Sequence, residues 1–172
     1  MEDDTQSEPN PMKNLTTVER ASERELVVTR TFDGPAHLVF EAWSRPELLQ
    51  RWWTPPSFGI SFVSCEADVR TGGTYHFVFS HPAAEQPMAF FGRYIEVTPH
   101  SRIVWTNEES EGGPVSTVTF EEKGGRTLLV LRELYPSKQA LDDAIASGST
   151  GTGAAGEQFE LLDEVLVTLV KP

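Results

Sequence analysis

A series of six short β-type segments with tight connections lies between residues 59 and 134, and it restricts the possible folds more than any other feature. Each segment is rich in β-branched and aromatic residues, and turns containing glycine or proline, such as Gly72-Gly73, separate them. Short connections join neighbouring strands in antiparallel pairs, so we expect one meandering sheet. The segments are GISFVSCEADV, GTYHFVFSH, MAFFGRYIEV, RIVWTNE, VSTVTFEE and RTLLVLREL.

The segments on either side of this series add one strand and several helices. Residues 24–32 are rich in β-branched side chains and predict a first strand. Apolar residues at helical spacing predict a helix over 36–43, and a second short helix follows over 46–53. Residues 137–147 predict another short helix, and residues 157–170 a longer one with one apolar side. Because a lone sheet must cover its apolar face, we expect the last helix to pack on the concave side.

Composition divides the chain into a tail and one domain. Residues 1–22 are acidic and polar, so we expect a disordered tail, followed by a single domain over 23–172. The net charge of -12 disfavours nucleic acid and anionic lipid as partners. We find no apolar stretch of membrane-spanning length and no secretion signal, and therefore expect a cytoplasmic protein without membrane insertion.

Four stretches resemble a known superfamily. They are FDGPAHLVFEAWSRPELLQRWW (32–53), DVRTGGTYHF (68–77), GRYIEVTPHSRIVWT (92–106) and GGRTLLVL (124–131). Together they resemble the START-like (SRPBCC, helix-grip) superfamily, and within it the bacterial branch similar to the activator of heat-shock-protein-90 ATPase homologue family. The resemblance implies an α+β helix-grip fold. In that fold a curved antiparallel sheet of about seven strands wraps around a long C-terminal helix, with two short helices between the first and second strands.

Aromatic residues provide the best functional signal. Tyr75, Phe77 and Phe79 alternate along one strand and therefore share a face, which predicts an apolar pocket beneath the last helix. The alternative is that these rings fill an ordinary core. Arg93 and Tyr94 point to opposite faces of their strand, and the sequence does not decide which faces inward. The predicted pocket residues are Trp53, Phe58, Tyr75, Phe77, Phe79, Phe91, Trp105, Phe120, Phe159, Leu162 and Leu166.

Motifs for catalysis, metals and cofactors give weaker signals. Residues 151–156 fit G-x-G-x-x-G, but a helix rather than a strand precedes them, so we interpret them as a flexible hinge. The histidines do not have metal-ligand spacing, and Cys65 has no evident basic partner. We therefore expect no catalytic residues, no metal and no cofactor.

Three functions remain open at this point. We favour non-catalytic binding of a small hydrophobic molecule in a cavity between the sheet and the C-terminal helix. One alternative is a cyclase- or hydrolase-like enzyme that uses the same cavity. The other is a protein-interaction module, such as a chaperone ATPase activator, and a protein partner or a homodimer would suit that function. The fold alone does not choose among them.

Overall fold

The computed structural model describes residues 16–54, 56–109, 111, 113–147, 150 and 155–170. The side chains of Phe58 and Val170 lie outside the described part. Most of the acidic tail, residues 1–15, also lies outside it, and so does most of the glycine-rich segment predicted to be a hinge.

Eight antiparallel strands form one sheet in the order β1-β2-β8-β7-β6-β5-β4-β3. The strands β2 to β8 are the seven predicted from the sequence, and their pairing confirms the expected α+β architecture. The strands are β1 Thr17–Arg20, β2 Glu25–Phe32, β3 Ser61–Ala67, β4 Thr74–Ser80, β5 Met88–Thr98, β6 Arg102–Thr106, β7 Val115–Lys123 and β8 Arg126–Leu134.

The edge strand β1 lies in a stretch that we expected to be disordered, so that expectation is wrong for Thr17–Arg20. All four of its residues are exposed, and they pair with β2 from Thr17 opposite Thr29 to Arg20 opposite Leu26. An edge strand of this kind is held by backbone hydrogen bonds and needs no apolar face. Composition therefore could not reveal it.

Four helices and one 3-10 turn complete the described fold. Helix α1, Ala36–Ser44, begins after Pro35, and the carboxylate of Glu122 accepts a hydrogen bond from the backbone N–H of Ala36 at 2.9 Å. Helix α2, Pro46–Leu49, is shorter than predicted, so Trp52 and Trp53 follow it instead of forming its last turn. The bounds are α1 Ala36–Ser44, α2 Pro46–Leu49, the 3-10 turn Pro56–Phe58, α3 Lys138–Ser147 and α4 Ala155–Val170.

Helix α4 belongs to the main hydrophobic core, together with α1 and the inward-facing residues of the sheet. Phe159, Leu162 and Leu166 on α4 are almost fully buried in this core, and the Phe159 ring lies 5.5 Å from that of Phe32 on β2. A charged contact reinforces the packing, because buried Arg30 on β2 forms an ion pair with Asp163 on α4. The last helix therefore covers the sheet as expected.

Two bulges interrupt the regular pairing of the sheet. One lies in β3 between Phe62 and Ser64, and the other lies in β5 between Tyr94 and Glu96. The extra residue of β5, Ile95, is 49% exposed. Bulges bend a strand and increase its twist, so these two favour a curved sheet with a concave face.

Candidate functional site

A cavity of about 330 Å³ is lined by residues of the sheet, of α1, of α4 and of the segments between them. A recess of about 40 Å³ shares five of the lining residues, among them Trp43, Trp53 and Phe90. The residues that line the larger cavity are Trp43, Trp52, Trp53, Ile60, Phe79, Phe90, Trp105, Asn107, Glu109, Pro114, Leu131, Glu133, Tyr135, Thr150, Gln158 and Phe159.

Four tryptophans form a continuous aromatic wall in this cavity. Trp43 projects from the buried face of α1, and its ring centroid lies 4.8 Å from Trp52, 5.8 Å from Trp105 and 6.1 Å from Trp53. The Trp52 indole donates a hydrogen bond to the carbonyl of Ala42 at 3.0 Å, which fixes its orientation. Large rings held in this way provide an apolar, polarisable surface.

One indole nitrogen in the wall is buried without a hydrogen-bond partner among the described residues. It belongs to Trp43, whose side chain is 5% exposed and lines both the cavity and the recess. A buried donor left unsatisfied costs about 1–3 kcal/mol. An acceptor atom of a bound molecule, or a water, would remove this cost.

A row of paired residues carries polar groups into the cavity. Tyr94, Trp105, Ser116 and Glu133 are aligned across β5, β6, β7 and β8 by the register of the sheet. Glu133 is 6% exposed, and it adds to the effect of burial in raising the pKa of the Tyr135 hydroxyl. The row therefore brings a buried acid next to the aromatic wall.

The loop after β6 supplies further polar groups. Asn107 donates from Nδ2 to the carbonyl of Pro114 at 2.7 Å and to Oγ of Ser116 at 3.1 Å. The Tyr75 hydroxyl donates to the carbonyl of Thr106 at 2.6 Å. Glu109 is half-buried and accepts a hydrogen bond from the backbone N–H of Phe91 at 3.3 Å. These bonds hold the polar groups in fixed positions.

The first turn of α4 is joined to the segment after α2 by two side-chain contacts. Ser57 donates from Oγ to the carboxylate of Glu157 at 2.7 Å, and Gln158 donates from Nε2 to the carbonyl of Trp53 at 2.7 Å. Because Trp53 and Gln158 both line the cavity, these contacts connect two of its walls.

Comparisons with known proteins identify the family and the fold. The family described as "Activator of Hsp90 ATPase homolog 1-like protein" matches residues 33–166. This range begins directly after β2 and contains the helices α1 to α3, the strands β3 to β8 and most of α4. The chain belongs to this family. The match confirms the resemblance seen in the sequence. A search of curated protein sequences gives no significant match.

Several solved structures have the same fold as this chain. A protein from Rhodobacter sphaeroides is 22% identical with a TM-score of 0.77, and the match covers 91% of this chain and 100% of that one. Proteins from Nitrosomonas europaea and Mycobacterium smegmatis are each 22% identical, with TM-scores of 0.74 and 0.73. Those matches cover 88% and 90% of this chain, and 99% of each of the other two. At such identities the likeness shows the fold alone.

Most of the predicted pocket residues lie on the concave side. Three others, Phe120, Leu162 and Leu166, are buried in the core but do not line the cavity or the recess. The Phe58 side chain lies outside the described residues. The predicted residues that line the cavity or the recess are Trp53, Tyr75, Phe77, Phe79, Trp105 and Phe159.

Phe91 requires a correction. It stacks on His76 and does not line the cavity or the recess, whereas its neighbour Phe90 lines both and packs against Phe79, although both rings are partly exposed. Alternation along β5 then places Tyr94 inward, where it is buried, and Arg93 outward, where it pairs with Glu108 at 2.6 Å. The open choice between Arg93 and Tyr94 is thereby resolved in favour of Tyr94.

Sequence reasoning missed the buried acid Glu133. Side chains alternate between the two faces of the strand RTLLVLREL, so Glu133 shares a face with Leu129 and Leu131. The hydrophobic pattern of the strand predicts that these two leucines belong to the core. An acid at an inward position of a strand is an unusual signal, since charged residues are almost never fully buried unless they are paired. That signal was present in the sequence and could have identified the residue.

Within the described part of the chain, no three His, Cys, Asp or Glu side chains are grouped in a way that could hold a metal ion. None of the described helices is both long enough and apolar enough to cross a membrane.

Cys65 on β3 should react slowly with alkylating reagents. Burial raises the pKa of its thiol to about 11, and only the thiolate is an effective nucleophile. At pH 8 we expect iodoacetamide to modify the folded protein roughly 100-fold more slowly than the urea-unfolded chain, whose thiol has a pKa of about 8.5. The rate for the folded protein should rise as the pH approaches 11. Mass spectrometry of a time course measures both rates, and equal rates at pH 8 would contradict this prediction.

Proposed function

We propose that this protein binds a small, mainly apolar molecule in the cavity between the sheet and α4. The observation that carries the proposal is the cavity itself, with a volume of about 330 Å³ and walls of tryptophan and phenylalanine. Pockets for small ligands have about 300–1,000 Å³ and are lined by apolar and aromatic side chains with a few polar groups. The cavity agrees with that description in both size and lining.

The polar groups of the site support a role in orienting such a ligand. The Trp43 indole N–H is buried and has no partner among the described residues, so a ligand oxygen could accept its hydrogen bond. Asn107 and Glu133 line the same cavity, and Asn107 is fixed by its own hydrogen bonds. A few fixed polar groups among apolar walls provide specificity without requiring a chemical reaction.

The description of the family refers to activation of a chaperone ATPase, which would depend on surface contacts with another protein. For this chain the cavity favours ligand binding, because an activator surface does not require an internal space of this size.

Filling the cavity should abolish binding of an apolar probe. Leu131 lines the cavity, whereas Leu128 lies on the same strand at an odd spacing and faces the opposite side of the sheet. We expect the neutral dye N-phenyl-1-naphthylamine to bind the parent protein with increased fluorescence. Leu131→Trp should weaken this binding at least tenfold, because the indole occupies the space of the dye.

Leu128→Trp is the matched control and should bind the dye with nearly the parent affinity. Overpacking at Leu131 can cost about 1–3 kcal/mol of stability, so thermal unfolding must show that both variants are folded at the temperature of the titration. Absence of dye binding by the parent, or equal binding by both variants, would contradict the proposed function.

A further inference from the structure

The lining of the cavity is aromatic more than aliphatic. In the described part of the lining, the aliphatic side chains are those of Ile60, Leu131 and Pro114. Half of the described lining residues carry aromatic rings, and these are Trp43, Trp52, Trp53, Phe79, Phe90, Trp105, Tyr135 and Phe159. A ligand in this space therefore meets the faces and edges of rings much more than methyl groups.

The rings of this lining hold one another in place. The Trp52 ring centroid lies 4.8 Å from that of Trp43 and 5.3 Å from that of Trp53. The ring of Phe159 on α4 lies 6.2 Å from the same indole. Aromatic pairs prefer centroid separations of about 4.5–7 Å, and all three pairs lie within that range. Because closely packed rings cannot change rotamer independently, the walls are rigid and flat.

Rigid, flat walls favour a rigid, flat ligand over a flexible chain. An alkyl chain loses rotation about its bonds when it is confined, whereas a fused ring system has no such freedom to lose. The positive edge of an aromatic ligand is also attracted to the negative faces of the wall rings, and a saturated ring lacks this quadrupole. Both effects therefore act in favour of an aromatic ligand.

The volume of the cavity limits the size of the ring system. A cavity of about 150 Å³ in another protein binds one benzene molecule. The cavity of about 330 Å³ is roughly twice as large, which suits two or three fused rings. The adjoining recess of about 40 Å³ is too small for a ring and has room for a substituent of a few atoms.

Phe90 places an aromatic ring at the mouth of the cavity. Among the described lining residues it alone is exposed, at 42%, and its ring packs edge to face against Phe79 at 5.3 Å. Its neighbour Phe91 is exposed to a similar degree, at 39%, but lies on the opposite face and lines neither the cavity nor the recess. The two phenylalanines therefore form a matched pair for testing the lining.

We propose that the cavity selects molecules built on a flat, fused aromatic ring system over aliphatic molecules of the same size. This inference rests on the proposed function, because it names the chemical class of the ligand that the cavity holds. The ring system lies among the tryptophan and phenylalanine rings of the lining, and a small substituent extends into the recess.

Three probes with eleven carbon atoms and one hydroxyl group test the selectivity. They are 2-naphthylmethanol, its fully saturated decalin analogue and 1-undecanol, and their affinities are measured by displacement of N-phenyl-1-naphthylamine. The hydrophobic effect alone favours the two saturated compounds, because they remove more apolar surface from water. We expect the opposite order, with 2-naphthylmethanol bound at least about fivefold more tightly than either of them.

Leucine substitutions identify the source of the preference. Phe90→Leu exchanges a lining ring for an aliphatic side chain and should weaken binding of 2-naphthylmethanol by about threefold or more. The affinity of this variant for the decalin analogue should change by less than about twofold. Phe91→Leu is the matched control and should leave both affinities nearly unchanged. Trp53→Leu, at a half-buried lining position, is a second test and should also reduce the aromatic preference.

The possible outcomes separate this inference from the proposed function. If the dye binds and either saturated probe binds as tightly as 2-naphthylmethanol, the aromatic selectivity is overturned while the proposed function stands. An aromatic preference that neither lining variant reduces, or that Phe91→Leu reduces as much as Phe90→Leu, would overturn the role of the lining rings. If neither the dye nor any of the three probes binds, the proposed function fails, and the inference fails with it.

Discussion

Leu162→Ala is expected to destabilise the domain by about 2–5 kcal/mol, the range for a leucine truncated in a packed core. Leu162 lies on the inward stripe of α4 and is fully buried at 0% exposure. It does not line the cavity, so its surroundings are filled by side chains. Truncation therefore leaves a new hole instead of enlarging an existing one. Urea denaturation of the parent and the variant measures the change in the free energy of unfolding.

Val167→Ala on the same helix is the control, because Val167 is 54% exposed. Its effect should be within about 0.5 kcal/mol, as for most surface substitutions. Similar small losses for both variants would show that α4 is loosely packed on the sheet. Because Leu162 is separate from the lining residues, its truncation should also affect dye binding much less than Leu131→Trp does.

Loss of the carboxylate of Asp163 is expected to cost roughly 3 kcal/mol, near the lower end of the range for breaking a buried ion pair. Arg30 is 4% exposed and cannot shed its proton, so Asp163→Ala leaves a buried charge without its partner. The Asp163 side chain is 27% exposed, and for that reason Arg30→Met should cost less. Chemical denaturation of both single variants tests this order.

The double variant Arg30→Met with Asp163→Leu separates charge from packing. Burial raises the pKa of Asp163 more than the positive charge of Arg30 lowers it, as expected for an ion pair that has lost much of its hydration. Apolar replacement of both partners should therefore restore stability to within about 1 kcal/mol of the parent. Glu164→Ala, at an exposed position on α4, is the control for removal of an acid. A double variant as unstable as Asp163→Ala would contradict the electrostatic explanation.

The element order could be predicted because periodicity and turn residues are local properties of the sequence. The seven strands β2 to β8 and the long last helix followed from them directly. Strand β1 could not be predicted in this way, since its four residues are exposed and show no alternation of apolar and polar side chains. It is held by backbone pairing with Leu26–Thr29 of β2, and backbone pairing leaves no mark on composition.

Cavity-lining residues could be predicted in a strand whose apolar and polar residues alternate. They could not be predicted in a strand with apolar residues on both faces. In β4, Tyr75, Phe77 and Phe79 alternate with more exposed residues, so their shared face was evident. In β5, Phe90 and Phe91 are adjacent, and apolar residues occupy both faces, so alternation gave no preference. The volume of the cavity was beyond sequence reasoning, because it depends on how closely α4 approaches the sheet.

The bulge in β5 has a consequence for how relatives of this chain can diverge. Tyr94 pairs with Trp105 and Val97 pairs with Ile103, so Ile95 is the added residue between two inward positions. Deletion of one residue here would leave Tyr94 and Val97 on their present faces and restore a regular strand. It would also remove a bend from the sheet. A single insertion or deletion at this point could therefore alter the depth of the cavity during evolution while every lining residue is retained.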